Sequence, residues 1–170
     1  MSREMRTRHY SQMELDRMFT EASNLHDRGQ LSAAFKRFLE AAKAGDLGAQ
    51  FMLGNLYSDG DGVKKDRDAA LYWYRKAYRR GFGPAASNIG VLYRDEGKLN
   101  RALTWFENAI TLGDADANLE IAKIHLRKGE PTMAAEYLAR LRKAPKGQVT
   151  EGSIEEAQQL LSEIRRSQRN

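Results

Sequence analysis

Four aspartates fall within ten residues of a glycine-bearing segment, and such a density of carboxylates could hold a calcium ion. They are Asp59, Asp61, Asp66 and Asp68. A calcium-binding loop places a glutamate at about its twelfth position, and this segment has none there. Turns and helix caps explain these acids better, because aspartate side chains accept hydrogen bonds from the first turn of a helix. The segment therefore predicts a turn rather than a metal site.

Histidines are the other candidates for chemistry, and their spacing predicts no catalytic site. His26 and His125 lie far apart, and the sequence has no His-x-x-x-His pair, glycine-rich phosphate loop or Gly-x-Ser-x-Gly turn. The absence of cysteine excludes a cysteine-ligated zinc site. We therefore expect no enzymatic activity, no metal and no cofactor. An enzyme whose charged cluster is assembled across helices is kept as a third hypothesis for function.

The excess positive charge lies at the two ends of the chain. The net charge is +5, yet residues 11–139 carry 18 basic and 18 acidic residues. A neutral body counts against a nucleic-acid groove, which concentrates positive charge on its binding surface. Within the body, four basic residues define what we name the basic ridge: Arg75, Lys76, Arg79 and Arg80. We expect a solvated helix face there, with a docking patch for an acidic partner as the alternative.

The overall composition is that of a globular protein, with 41% hydrophobic and 30% charged residues. No apolar run reaches the roughly 18 residues that a membrane-spanning helix needs. No apolar stretch follows the arginines of the first ten positions, as it would in a secretory signal. We therefore expect a soluble, cytoplasmic protein.

A pattern of glycines, alanines and aromatic residues recurs every 32 to 36 positions. Gly54 recurs as Gly90, and Tyr74 recurs as Phe106. In the second half of each unit, apolar residues fall at the i, i+4 and i+7 spacing of one helix face. The sequence therefore predicts an all-α chain of four helical hairpins, at approximately 11–45, 46–81, 82–113 and 114–144.

Helix start and stop signals divide these hairpins further. Aspartates at Asp46, Asp66 and Asp114 are predicted caps, and Ser11 with Glu14 and Ser153 with Glu156 have the capping-box spacing. The signals predict helices at 11–28, 31–44, 47–58, 66–80, 84–96, 99–112, 115–128, 131–143 and 153–167. We expect residues 1–10 to be a disordered tail. Residues 145–170 are predicted to be a loop and an amphipathic C-terminal helix that caps the last hairpin.

The segment 49–81 resembles a Sel-one-like repeat, a longer relative of the tetratricopeptide repeat. The matching residues are Ala49, Leu53, Gly54, Tyr57, Gly60, Gly62, Val63, Asp66, Ala70, Trp73, Tyr74, Ala77 and Gly81. The next unit, 84–113, lacks the longer loop and resembles a tetratricopeptide repeat instead. The resemblance implies a right-handed α-solenoid. It also implies an adaptor that binds another protein or peptide through its concave surface, as a regulatory or neutralising partner, and short members of this kind occur widely in bacteria.

In such solenoids the first helix of each hairpin lines the concave face, so the resemblance nominates partner-binding residues. They are Phe51, Asn55, Ser58, Ser87, Asn88, Val91, Arg94, Leu119, Lys123 and Arg127. Apolar points among hydrogen-bonding groups suit an extended peptide or a partner helix, because apolar anchors supply affinity and polar groups set the register. The glycines and aromatic residues of the repeat are expected to be packing residues.

One binding mode of tetratricopeptide proteins, a clamp for a C-terminal carboxylate, fits this chain badly. Asn55 and Asn88 match its asparagine positions, but Phe51, Asp116 and Glu120 stand where the clamp needs cations. Two acids would repel a carboxylate and favour a partner with a basic stretch. The leading hypothesis is thus a non-catalytic protein-interaction module that could form a homodimer. The alternative is an RNA-binding module that uses the basic ridge and the tails.

Overall fold

A computed structural model of the chain describes residues 10–167, and within that range every regular element is an α-helix. The predicted tail, apart from Tyr10, lies outside the described residues. The helices are α1 (Gln12–Asp27), α2 (Leu31–Ala44), α3 (Leu47–Asp59), α4 (Arg67–Tyr78), α5 (Gly83–Asp95), α6 (Leu99–Thr111), α7 (Ala117–Arg127), α8 (Pro131–Arg142) and α9 (Glu151–Ser167). Each of the nine predicted helices is present, and each boundary agrees to within two residues.

The described chain divides between Arg80 and Gly81 into two units, which we name the N-terminal unit (α1–α4) and the C-terminal unit (α5–α9). In the N-terminal unit α1 pairs with α2 and α3 with α4, while α2 contacts α3. In the C-terminal unit α5 pairs with α6 and α7 with α8, and α9 contacts α8. The predicted helical hairpins are therefore present in both units.

Side-chain caps begin several of these helices as the sequence predicts. Glu14 donates its backbone N–H to the Ser11 hydroxyl (3.3 Å), and the Glu14 carboxylate accepts from the Ser11 N–H (2.8 Å), which completes a capping box. Asp46 accepts from the N–H of Ala49 at 2.6 Å. Asp66 caps α4 in the same way, so the prediction that this aspartate is a helix cap is confirmed.

The predicted cap at Asp114 lies two residues earlier than the residue that precedes the helix. Helix α7 begins at Ala117, and the residue before it, Asp116, makes no side-chain cap hydrogen bond. The Asp114 carboxylate instead accepts a hydrogen bond from the backbone N–H of Asp116, in the turn before the helix. The same turn contacts the loop before α9, where the N–H of Ala115 donates to the carbonyl of Gln148 (2.8 Å).

The predicted capping box at Ser153 and Glu156 is wrong. Helix α9 begins two residues earlier than expected, at Glu151, and Ser153 donates its N–H to the Thr150 hydroxyl (3.3 Å). Thr150 therefore occupies the capping position. The carboxylate of Glu156 pairs with Lys123 on α7 instead of folding back on its own helix.

Close approach of the paired helices depends on a glycine facing an aromatic ring. A Cβ atom at Gly54 would lie 2.3 Å from the Tyr74 ring, and one at Gly90 would lie 2.7 Å from the Phe106 ring. Both rings are buried. The prediction that these residues pack the repeat is confirmed.

Each unit buries its own apolar cluster. In the N-terminal unit the cluster gathers around Phe38, Leu53 and Trp73. In the C-terminal unit Leu138 and Leu141 join residues of the last helix, Ala157 and Ile164. The apolar face predicted for the last helix therefore packs on the last hairpin.

We expect Gly54→Ala to lower the free energy of unfolding by about 1–3 kcal/mol, because the added methyl group overlaps the buried Tyr74 ring. Gly152→Ala is the matched control, since a Cβ at that helical glycine meets no atom within 4 Å. It should leave stability unchanged or raise it by up to about 1 kcal/mol. Urea unfolding followed by circular dichroism measures both variants, and equal effects would contradict the packing role of Gly54.

Candidate partner-binding groove

A cavity of about 320 Å³ opens within the C-terminal unit along α5 and α7, and we name it the groove. Its lining comprises Pro84, Ser87, Asn88, Val91, Arg94, Phe106, Asp114, Asp116, Ala117, Leu119, Glu120 and Ser153. The lining thus joins residues of two hairpins to the first turn of α9. Its size is at the lower end of the range of small-molecule pockets and suits one or two side chains of a partner.

The floor of the groove is apolar. Phe106 is fully buried, Ala117 and Leu119 are also buried, and Val91 is half-buried at the surface of α5. A partner side chain placed here would exchange water for apolar contacts. That exchange would stabilise the complex by roughly 25 cal/mol per Å² of apolar surface buried.

An ion-pair network crosses one side of the groove. The Arg94 guanidinium on α5 binds the Glu120 carboxylate on α7, and Lys123 Nζ lies 3.2 Å from Glu120 Oε1 and 2.9 Å from Glu156 Oε1 on α9. Burial opposes the charge of Lys123, but Glu156 and Glu120 together hold the pKa of Lys123 above its ordinary value. Burial also disfavours the charged form of Arg94, but the carboxylates of Asp95 and Glu120 hold the pKa of Arg94 above its ordinary value. The network fixes three helices with their charges paired.

Two further carboxylates lie in the groove without such pairing. Asp114 accepts a hydrogen bond from the Ser87 hydroxyl (2.6 Å), and Asp116 accepts from the N–H (3.0 Å) and hydroxyl (3.3 Å) of Thr150. Burial raises the pKa of Asp114, the Ser87 hydrogen bond opposes that rise, and the neighbouring charge of Asp116 adds to it. Both carboxylates are therefore held by neutral donors.

The structure brings five of the nominated residues together in the groove. Ser87, Asn88, Val91, Arg94 and Leu119 all line it. Leu119 is only 5% exposed and belongs to the core cluster, so it contributes to the floor and is not presented to solvent.

Two other nominated residues of the C-terminal unit lie outside the groove lining. Lys123 belongs to the ion-pair network beside the groove. Arg127 is exposed as the last residue of α7. The structure therefore concentrates the nominated lining on α5 and the first half of α7.

The three nominated residues of the N-terminal unit lie on α3 and make a different kind of surface. The Tyr74 hydroxyl donates to Asn55 Oδ1 (2.8 Å), and the Phe51 ring packs beside Tyr74 with centroids 6.0 Å apart. Ser58 is half-buried near the end of the helix. Asn55 is therefore bound to the tyrosine ring that packs on Gly54, and its contact with a partner stays a prediction.

The basic ridge is less uniform than the sequence predicts. Helix α4 ends at Tyr78, so Arg79 and Arg80 lie beyond its last turn. The Arg80 guanidinium donates to the carbonyl of Gly45 (2.6 Å), and Lys76 Nζ lies 5.1 Å from the centroids of the Tyr72 and Trp73 rings. Part of this charge therefore serves contacts inside the N-terminal unit.

The two histidines among the described residues make structural contacts. His125 stacks on Tyr137 with centroids 5.6 Å apart, and its Nδ1 lies 2.5 Å from Glu130 Oε2. His26 Nε2 lies 3.9 Å from Asp61 Oδ2. Residues 10–167 contain no group of three or more histidine, cysteine or acidic side chains placed to hold a metal. No helix among those residues is both long enough and apolar enough to cross a membrane.

Among the groove residues that the sequence does not nominate are Asp114 and Ser153. The sequence predicts a helix cap at Asp114 and the start of a capping box at Ser153. The structure joins the segment before α7 to the loop before α9 through Ala115 and Gln148, which are 33 positions apart in sequence. No local pattern reports such a contact.

Comparison with known proteins identifies the repeats. Residues 47–82 and 84–114 both match the family model of the Sel1 repeat. The second match corrects the expectation that 84–113 is a tetratricopeptide repeat, which rested on its shorter loop. The chain is similar to a crystal structure of a Sel1 repeat protein from Oxalobacter formigenes, with a TM-score of 0.65, 23% identity, and coverage of 88% of this chain and 72% of that one. This likeness confirms the all-α solenoid fold class.

Two sequence relatives agree with the repeat assignment but are longer than the chain. An exopolysaccharide production negative regulator of Rhizobium leguminosarum bv. viciae is 26% identical over 149 residues, covering 75% of the chain and 56% of that protein. A putative sel1-like repeat-containing protein of Acanthamoeba polyphaga mimivirus is 26% identical over 92 residues, covering 54% of the chain and 17% of that protein. The chain thus spans about half the length of the first relative and a smaller part of the second.

We expect Asp114→Asn to change how stability depends on pH. The folded pKa of Asp114 is raised above its ordinary value of 3.8, so the native state binds its proton more readily than the unfolded chain does. Asp114 therefore lowers the free energy of unfolding as the pH rises from 3.8 through the raised folded pKa. The asparagine variant should lose this decline while its side-chain carbonyl still accepts from Ser87.

Urea unfolding between pH 3.5 and pH 7 measures this effect as the stability difference between variant and wild type. The matched control is Asp68→Asn, which removes one carboxylate from a side chain that is 96% exposed. The difference should grow toward pH 7 for the Asp114 variant and should grow less for the control. A pH-independent difference for Asp114→Asn would show that its burial does not matter for ionisation.

Proposed function

Because the chain contains two Sel1 repeats, we propose that it is a non-catalytic interaction module that binds another protein through the groove of the C-terminal unit. Sel1 repeat folds generally act as protein–protein interaction scaffolds. The observation that carries the proposal is the groove itself, where a half-buried Val91 and a buried floor lie beside polar groups on α5 and α7. Apolar contact at the centre and polar groups at the rim are the usual anatomy of a protein interface.

A regulatory role is the more specific form of this proposal. One relative of the chain bears the name of a negative regulator, and a regulator without catalysis acts by occupying a surface of its target. The chain would then change the activity of a partner by binding it. The groove would supply a surface suited to that role, since an apolar floor lies beside polar groups on α5 and α7.

We expect Val91→Arg to weaken partner binding at least tenfold, because partner contact would strip water from the new guanidinium group above an apolar floor. The matched control is Thr104→Arg, which adds the same charge to an exposed position on α6. Tagged wild-type protein and both variants are used to capture partners from lysate of the native source, with and without nuclease and at low and high salt. Quantitative mass spectrometry compares the recovered proteins.

The proposal requires a captured protein that remains bound after nuclease treatment and in high salt, is retained by Thr104→Arg and is lost from Val91→Arg. Equal recovery by both variants would move the interface away from the groove. Loss of every partner on nuclease treatment would instead favour RNA binding, and binding would then weaken steeply with salt.

A further inference from the structure

We propose that the groove receives a basic segment of the partner, with a lysine or arginine side chain lying over Val91 and reaching the carboxylates of Asp114 and Asp116. This inference rests on the proposed function, because it names the chemistry of the partner that the same groove would take. The groove offers both parts that such a side chain needs, an apolar floor for its stem and carboxylates for its charged end.

The charge of the groove is opposite in sign to that of the chain. Four ionisable residues line it, three of them acids (Asp114, Asp116 and Glu120) and one a base (Arg94), whereas the whole chain carries a net +5. An acidic groove on a basic protein attracts a cationic segment locally and repels a carboxylate or phosphate group.

The carboxylates differ in whether their charge is already compensated. Glu120 is bound by Arg94 and Lys123, so little of its charge is left for a partner. Asp114 and Asp116 accept hydrogen bonds only from uncharged donors, and within residues 10–167 neither forms an ion pair. These two carboxylates are therefore the groups that a partner's cation would bind.

The partial burial of Asp114 favours the binding of a cation from a partner. Burial destabilises the charged form of a carboxyl group that gains no counter-charge in place of water. The raised pKa of Asp114 results from this loss of water. An incoming ammonium or guanidinium group would form charge-assisted hydrogen bonds of about 2.7–2.9 Å with such carboxylates. The stem of the same side chain would cover Val91 and the edge of Leu119, as the long aliphatic part of lysine or arginine does on apolar surfaces.

The test uses a library of random twelve-residue peptides displayed on phage and selected against the full chain. Peptides selected on the wild type are expected to be enriched in lysine or arginine next to an apolar residue. One enriched peptide is then synthesised together with an analogue in which glutamine replaces its basic residues, and fluorescence anisotropy measures the affinity of both.

Three variants separate the carboxylates from the rest of the groove. The double variant Asp114→Asn/Asp116→Asn should bind the basic peptide at least tenfold more weakly than wild type, and it should no longer distinguish that peptide from its glutamine analogue. The charge-matched control is Asp59→Asn/Asp68→Asn, which removes two exposed carboxylates from the N-terminal unit and should bind as wild type does. Val91→Arg should bind neither peptide, because the new side chain would cover the apolar floor and place a like charge beside the partner's cation. Circular dichroism checks that every variant is folded.

The outcomes distinguish this inference from the proposed function. Selected peptides without basic residues, lost on Val91→Arg but unaffected by the Asp114/Asp116 variant, would overturn the basic partner while leaving the groove as a binding surface. Enrichment of acidic peptides would also overturn the basic partner. Peptides that bind Val91→Arg as well as wild type, or no peptide above the Val91→Arg background, would overturn both proposals.

Discussion

Helices of the repeat come close because a glycine on the first helix faces a buried aromatic ring on the second. A single methyl group at Gly54 or Gly90 would overlap the ring atoms opposite, so the distance between the paired helices is set at those points. That distance also decides which side chains of α5 reach the surface beside α7. The groove therefore depends on a contact that lies beneath it, between Gly90 and Phe106.

A second constraint comes from the loop before α9, which bonds back to the start of α7. The Gln148 carbonyl accepts from Ala115, and the N–H and hydroxyl of Thr150 donate to Asp116. These bonds join the loop to the residues just before α7, where the carboxylates of Asp114 and Asp116 line the groove. The acidic part of the groove therefore lies beside a loop contact, whereas its apolar floor is formed by residues of the repeat.

Contacts within the repeat can be predicted from sequence, whereas contacts between distant segments cannot. Helix positions and the packing role of Gly54 follow from local caps and from the repeat, because both depend on spacing along one or two helices. The surroundings of Asp114 and Ser153 depend on contacts that follow no periodic pattern, such as the hydrogen bond from Ser87 to Asp114 across 27 positions. The hydrogen bond from Tyr74 to Asn55 was equally hidden from the repeat pattern, since it needs a hydroxyl that an equivalent phenylalanine lacks.

That hydroxyl makes two equivalent hairpins differ in their surface chemistry. Where the packing ring is Tyr74, its oxygen engages Asn55, and the polar side chain is used inside the hairpin. Where the ring is Phe106, no hydroxyl needs a partner, and the equivalent position is Val91 at the groove. Evolution of a repeat protein can therefore open or close an apolar binding surface by a paired exchange of ring and neighbour. Such an exchange leaves helix length, caps and the glycine contact as they were, so recognition can change while the fold is conserved.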